Sequence, residues 1–220
     1  MRYCGRHVKS VRKKTVAPRV SRRKADKFDE RRAELAAAAL QTLSELGYAR
    51  TSLREIAQNS DFSHGVLHYY FADKYELIMF CVRQYKAQCV RRYDEIVASA
   101  RTPKQLAKGF AAGMATTLRD DAHLHRLWYD LRTQSLFELS FQTDVTEIDG
   151  SLERMIWRIV TSYSALTKVP LRVTSPLAYA IFDGIFQQAL RKHLHGHAGA
   201  AGELAKHVEQ ALTELVPSPR

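Results

Sequence analysis

Cysteine is scarce in this chain of 220 residues. Cys4, Cys81 and Cys89 are an odd number with no C-x-x-C spacing, which argues against a disulfide framework and a zinc site. Cys81 and Cys89 are expected to pack as small apolar residues. Long apolar runs are missing too: no stretch approaches the ~18 residues of a membrane span. The basic N-terminus also lacks the apolar segment of a signal peptide. The expectation is a soluble, cytoplasmic protein with no membrane partner. No Gly-rich phosphate loop occurs, and no nucleophile and base stand at a recognisable spacing. His193, His195 and His197 alternate, but helical residues i and i+2 point ~200° apart and cannot share a face. Nothing speaks for catalysis, a cofactor or a metal.

Acidic residues are absent from one region. Residues 1 to 24 hold ten Lys or Arg and no Asp or Glu; without them, the totals of 34 basic and 23 acidic residues become 24 against 23. Nearly the whole net charge of +11 therefore sits in a leading arm, residues 1–26, expected to be disordered when free. Such an arm is either a solubilising tail or a segment that lies along phosphate or enters a minor groove, releasing counterions. Its place just before the segment described next favours the second use, with Arg22, Arg23 and Lys24 nearest the DNA.

What is present is helical patterning, and residues 51–77, TSLREIAQNSDFSHGVLHYYFADKYEL, carry the most of it. Ser52 and Glu55 have capping-box spacing, and Leu53, Ile56 and Ala57 follow the i, i+3, i+4 rule of a short amphipathic helix. Asn59, Ser60 and Asp61 break that pattern. Ser63 is then placed to cap a second helix running to about Phe71. Two short helices joined by a tight turn are the helix-turn-helix, whose second helix enters the major groove. Asp73 can cap a long helix from Lys74, with Leu77, Ile78, Cys81, Val82, Tyr85, Cys89 and Tyr93 in register. A helix from about Asp29 to Leu46, stopped by Gly47, precedes the motif.

The run S-H-G-V-L-H-Y-Y-F-A-D-K from Ser63 to Lys74, with Tyr75, Glu76 and Leu77, closely resembles the recognition helix and fourth-helix start of TetR/AcrR-family transcriptional regulators. Leu53, Glu55, Ile56 and Ala57 match that family's second helix, and Ala36 to Tyr48 its first. His64, Val66 and His68 depart from the family's frequent residues, so the operator cannot be borrowed from a relative. The resemblance implies an all-α chain of about nine helices: a helix-turn-helix domain over 27–89 with its motif at 52–71, a helical ligand-binding and dimerisation domain over 90–216, and a tail, 217–220. It also implies that Leu67, Tyr70 and Phe71 include core residues and that Lys74 contacts phosphate.

On the reading helix, Gly65 lets the backbone approach DNA closely and Ser63 can bond a phosphate. His64 and Val66 are placed for base edges, with Val66 suited to a thymine methyl. His68 and Tyr69 follow one turn on, and Thr51 and Ser52 can bind phosphate or simply cap. Downstream, apolar stripes predict helices over 103–118, from Asp120 or Asp121 through Phe137, over 144–166, from Pro176 to about His195, and over 203–215. The last two present Leu177, Ile181, Ile185, Phe186 and Leu190, then Leu204, Val208 and Leu212. Such a pair is half of a four-helix bundle, which a second copy would complete as a homodimer reading a palindromic double-stranded operator. Candidates for a pocket holding an unknown small organic ligand are Tyr85, Tyr93, Phe110, Trp128, Arg132, Phe137, Trp157, Tyr163, Tyr179 and Phe182. Core packing is the commoner use of such aromatic residues. The reading is a dimeric repressor released by a ligand. An activator of the same fold, and a small helical enzyme or ligand carrier with an incidental helix-turn-helix, remain as alternatives.

Overall fold

The computed structural model describes residues 19–47 and 51–216. The expectations for residues 1–18 and for the tail lie outside the described residues. Among those described, the chain forms nine α-helices, one 3-10 turn and no strand. The helices are α1 (Arg19–Leu46), α2 (Leu53–Gln58), α3 (His64–Tyr70), α4 (Lys74–Ser99), α5 (Pro103–Asp120), α6 (Ala122–Gln134), α7 (Gln142–Thr167), α8 (Ser175–Leu194) and α9 (Ala200–Leu215).

The first helix corrects the expectation of an arm running to residue 26 and a helix beginning near Asp29. It starts at Arg19. Basic charge argues against an independent core, but it does not prevent a helix from growing backwards off a packed one. Residues 19–28 contain no Gly or Pro, and each added residue closes a hydrogen bond without a new nucleus. Gly47 ends the helix with φ +79°, a conformation that side chains with a Cβ avoid.

Leu35, Ala39 and Leu43 of α1 are buried with Leu53, Ile56, Leu67, Phe71, Leu77 and Ile78, forming the core of the N-terminal module. The module and the remaining helices share α4, which packs on α1, α5 and α7. In the larger domain α5 is central, with Leu106, Phe110, Met114 and Leu118 buried and α9 laid along it.

That last contact corrects the expected dimer face. Phe186, Leu190, Leu204, Val208 and Leu212 are buried within the single chain. An apolar stripe tells that a face is covered, not by what, and α5 has an apolar face of its own to match. Of the eight residues proposed, Leu177 is 53% exposed, and Ile181 and Ile185 on α8 are half-buried, packed in part against the core. The sixth helix also ends sooner than expected, at Gln134, so Phe137 stands in the following turn, 81% exposed. Asp121 forms no side-chain cap at the start of α6; its carboxylate instead takes Arg92 at 3.2 Å.

Candidate DNA-reading face and ligand cavity

Helix α2 opens on a complete capping box: Ser52 Oγ accepts from the Glu55 amide at 3.2 Å and Glu55 Oε2 from the Ser52 amide at 2.6 Å. Two amides that a helix start leaves without partners are thereby satisfied. Ser63 caps α3, its Oγ accepting from the Val66 amide at 3.3 Å. Leu67 and Phe71, both fully buried, seat the helix, and Asp73 Oδ1 accepts from the Glu76 amide at 2.8 Å to begin α4. With these anchors turned inward, Ser63, His64, Gly65, His68 and Tyr69 face solvent. The rings of His64 and His68 meet edge-on at 4.4 Å. A Cβ on Gly65 would find only Ser63 Oγ, at 4.0 Å. Packing within the chain therefore does not require glycine there, whereas close approach of another molecule's backbone would use it.

Two contacts that sequence reasoning missed brace this face from α1. Phe28 stacks on Tyr70 with ring centroids 4.7 Å apart and reaches Tyr69 at 6.2 Å. Arg32 lies 4.9 Å over the Phe71 ring and 4.7 Å over Phe80 and pairs with Glu76, whose Oε2 accepts from the Ala72 amide at 2.8 Å. The signal for Phe28 was an aromatic one residue before the assumed start of the helix. Tyr70 is half-buried, packed against Phe28 and the core. Thr51 is a correction: it is 2% exposed and its hydroxyl donates to the Gly47 carbonyl at 2.7 Å, so it ties α2 to the end of α1 and is turned away from any phosphate. Val66 is half-buried against the core, and Lys74 is half-buried at the start of α4. Arg22, Arg23 and Lys24 have a helical backbone, but their side chains lie outside the description.

Between α4, α5, α6, α7 and α8 lies a cavity of about 60 Å³. Tyr93, Phe110, Trp128, Tyr179 and Phe182 line it, as the sequence suggested. The other five candidates are placed elsewhere. Phe137 is exposed, Trp157 is half-buried off the wall, and Tyr163 borders a groove near α9. Tyr85 is buried behind Lys86. Arg132 stands beside the cavity as a clamp, its Nε 3.1 Å from Asp149 and its Nη1 2.8 Å from Asp183. Tyr179 donates to Asp149 at 2.6 Å and Tyr129 to Asp183 at 2.8 Å. The charge of Arg132 is thus met by its own neighbours.

Lys86 was the larger omission. It is 3% exposed, lines the cavity, and places its Nζ 3.2 Å from His125 Nδ1 and 5.2 Å from the Trp128 ring centre. Burial pushes the Lys86 ammonium down to about 8. Burial first, and then the Lys86 and Arg92 charges, hold His125 well below the usual imidazole range. The sequence did hold a clue, since position 86 falls four residues after Val82 and three before Cys89, on the inward stripe of α4. A lysine on such a stripe is a buried charge.

Residues 35–79 match the family described as bacterial regulatory proteins, tetR family, a segment running from the middle of α1 into α4. Comparison with curated proteins gave no match. Among solved structures, the transcriptional regulator FadR from Bacillus subtilis, in complex with stearoyl-CoA, is 18% identical over 86% of this chain and 99% of its own, with a TM-score of 0.67. The fatty acid degradation regulator FadR from Bacillus halodurans is 16% identical over 86% of this chain and 97% of its own, TM-score 0.69. The ketosteroid transcriptional regulator of Mycobacterium tuberculosis is 18% identical over 86% and 96%, TM-score 0.62. At such identities the likeness is one of fold, and it extends over nearly the full length of each. The family's own segment is thus matched across the helix-turn-helix, from the middle of α1 into α4, and the helices behind it have the fold of these solved regulators.

Proposed function

We propose that this chain is a dimeric repressor that reads a palindromic operator with α3 and is released by a small organic ligand bound in the α4–α8 cavity. The observation that carries the reading is the solvent-facing set Ser63, His64, Gly65, His68 and Tyr69 on a helix whose remaining side chains are buried or braced. Leu177, Ile181 and Ile185 support association through α8. A second copy set against them would be related by a twofold axis and would place two reading helices about one DNA turn, 34–36 Å, apart. Lys74 and the basic segment through Arg22, Arg23 and Lys24 supply phosphate contacts, whose signature is salt dependence.

Helix α4 links the two ends of the mechanism. It begins at Lys74, directly after the reading helix, and carries Lys86, Cys89 and Tyr93 on the cavity wall. A cavity of about 60 Å³ holds only a few waters, at ~10–15 Å³ each by this measure. An organic ligand therefore requires the helices to part, and favours a state in which α4 is displaced. Displacing α4 alters the spacing of the paired reading helices, and operator binding must weaken ligand binding by the same factor. The stearoyl-CoA bound by the Bacillus subtilis relative supports an apolar body for the ligand.

Selection of bound sequences from a random duplex pool by the full-length protein tests the reading. A recovered palindrome is the expected result, and a version lacking residues 1–24 should recover the same palindrome with a shallower salt slope. No enriched sequence from either would overturn the proposal.

A further inference from the structure

The cavity wall has hydrogen-bond donors without acceptors. Trp128, 1% exposed, has no partner for its Nε1–H, and His125, 9% exposed, has none for its Nε2. With the Lys86 ammonium donating to His125 Nδ1, the ring proton resides on Nε2, which makes that nitrogen a donor as well. Lys86 keeps further N–H groups, and among the described residues no carboxylate lies within 4.0 Å of its Nζ. The acceptors nearby are already occupied. Asp149 holds Arg132 and Tyr179, and Asp183 holds Arg132 and Tyr129. Buried donors in a folded protein are ordinarily matched, and the residues that carry these three all line one cavity, which leaves a place for a group made of acceptors.

We propose that the ligand is a small organic acid. Its carboxylate lies against the Lys86 ammonium and takes the Nε2–H of His125 and the Nε1–H of Trp128, while its hydrocarbon or aromatic body lies against Phe110, Leu152 and Phe182. A charge-assisted bond to a buried ammonium is stronger than its neutral counterpart, so recognition depends on the ionised head group. Lys86 also borders a second, outer groove between α4 and α7, rimmed by Arg83, Gly150 and Arg154. Glu147 lines that groove too and pairs with Arg83 at 2.8 Å, so Arg154 and Lys86 are the cations left along it to meet a charged head group. The inference rests on the cavity being the effector site.

Calorimetric titration of the full-length protein without DNA tests it, with octanoate, benzoate and phenylacetate each set against its methyl ester and its primary alcohol. At least one acid should bind about tenfold or more tightly than both neutral analogues, a difference of ~1.4 kcal/mol. Lys86→Met, similar in length and uncharged, should erase that preference, and Lys86→Arg should retain part of it. Should Lys86→Met fail to fold, Trp128→Phe carries the test, with the acid weakened about threefold or more and by more than the ester. Equal binding of acid and ester, an acid preference that survives the loss of Lys86, or no acid binding would each overturn the proposal. An operator recovered by selection with no acid binding would overturn this inference alone. Acid binding with no operator would overturn the regulator reading and leave this one standing.

Discussion

Helix α3 keeps the side chains proposed to read DNA outside and its anchors inside, whereas the cavity turns the side chains proposed to meet a ligand inward among the residues that hold the domain together. His64, His68 and Tyr69 are exposed while Leu67 and Phe71 are fully buried. Lys86, His125 and Trp128 are all buried in the wall they serve. On the proposed function, specificity and stability reside in different residues in the first region, so one can change without the other. In the second the same groups would do both, and a ligand would act on the packing itself.

The largest effect should come from breaking an anchor of the first region. Leu67→Ala removes a fully buried side chain from beneath the reading face, which costs ~2–5 kcal/mol as lost burial and residual cavity. Chemical denaturation should show that loss, and operator affinity should fall with it. If the variant keeps wild-type stability, α3 is not seated as described.

Next in size is the buried charge of the second region. Lys86 faces Tyr85 and Cys89 on its own helix, His125 and Arg132 on α6, Asp149 on α7 and Asp183 on α8. Desolvation first, helped by the Arg132 charge, outweighs Cys89, Asp183 and Asp149 and lowers its pKa from 10.5 to about 8. The sign follows from proton counts. Between those values the unfolded chain binds more protons than the folded one, so stability rises with pH through that window. The penalty of the buried ammonium is fully present below about 8 and is relieved by 10.5, a span of roughly 3 kcal/mol at ~1.4 per unit. Lys86→Met should be more stable than wild type at pH 7 and should lose this rise between pH 8 and 10. A wild-type profile that is flat, or that falls across the window, would remove the buried charge from the account.

These two regions also differ in how much of them could be read from the chain. The helix-turn-helix is a local device: Ser52 and Glu55, the break at Asn59 to Asp61, and Ser63 lie within a few residues of the amides they cap, so their spacing carries the geometry. The order and number of the helices were legible for the same reason. Lys86, His125 and Asp183 come together only through packing of α4, α6 and α8, and no spacing relates them. Phe186, Leu190, Leu204, Val208 and Leu212 of the expected dimer stripe are covered inside the chain because apolar periodicity cannot name its partner, which leaves Leu177, Ile181 and Ile185 for the proposed association. Thr51 failed because capping and phosphate binding use one residue type, and only burial tells them apart.

A smaller effect, on binding alone, should come from the exposed histidines. His64→Ala should leave stability within about 0.5 kcal/mol and lower affinity for a selected operator by ~1–3 kcal/mol, relaxing preference at the base it touches. His68→Ala should do the same one turn along. A loss that is uniform across sequences and steepens or flattens with salt would assign the residue to phosphate instead.

The smallest effect separates two neighbours that sequence reading treated alike. Ser52→Ala deletes the Oγ that accepts from the Glu55 amide and should cost ~1 kcal/mol as a lost N-cap. Thr51→Val keeps the shape of a buried side chain and removes its bond to the Gly47 carbonyl, a loss of ~1 kcal/mol with no phosphate to lose. The stability measurements cannot distinguish the pair, but binding at two salt concentrations can. If exposed Ser52 also meets phosphate, its variant should lose operator affinity beyond what its stability predicts, whereas Thr51→Val should not. Equal affinity losses from both would mean that the end of α1 and the start of α2 act on DNA only by positioning α3.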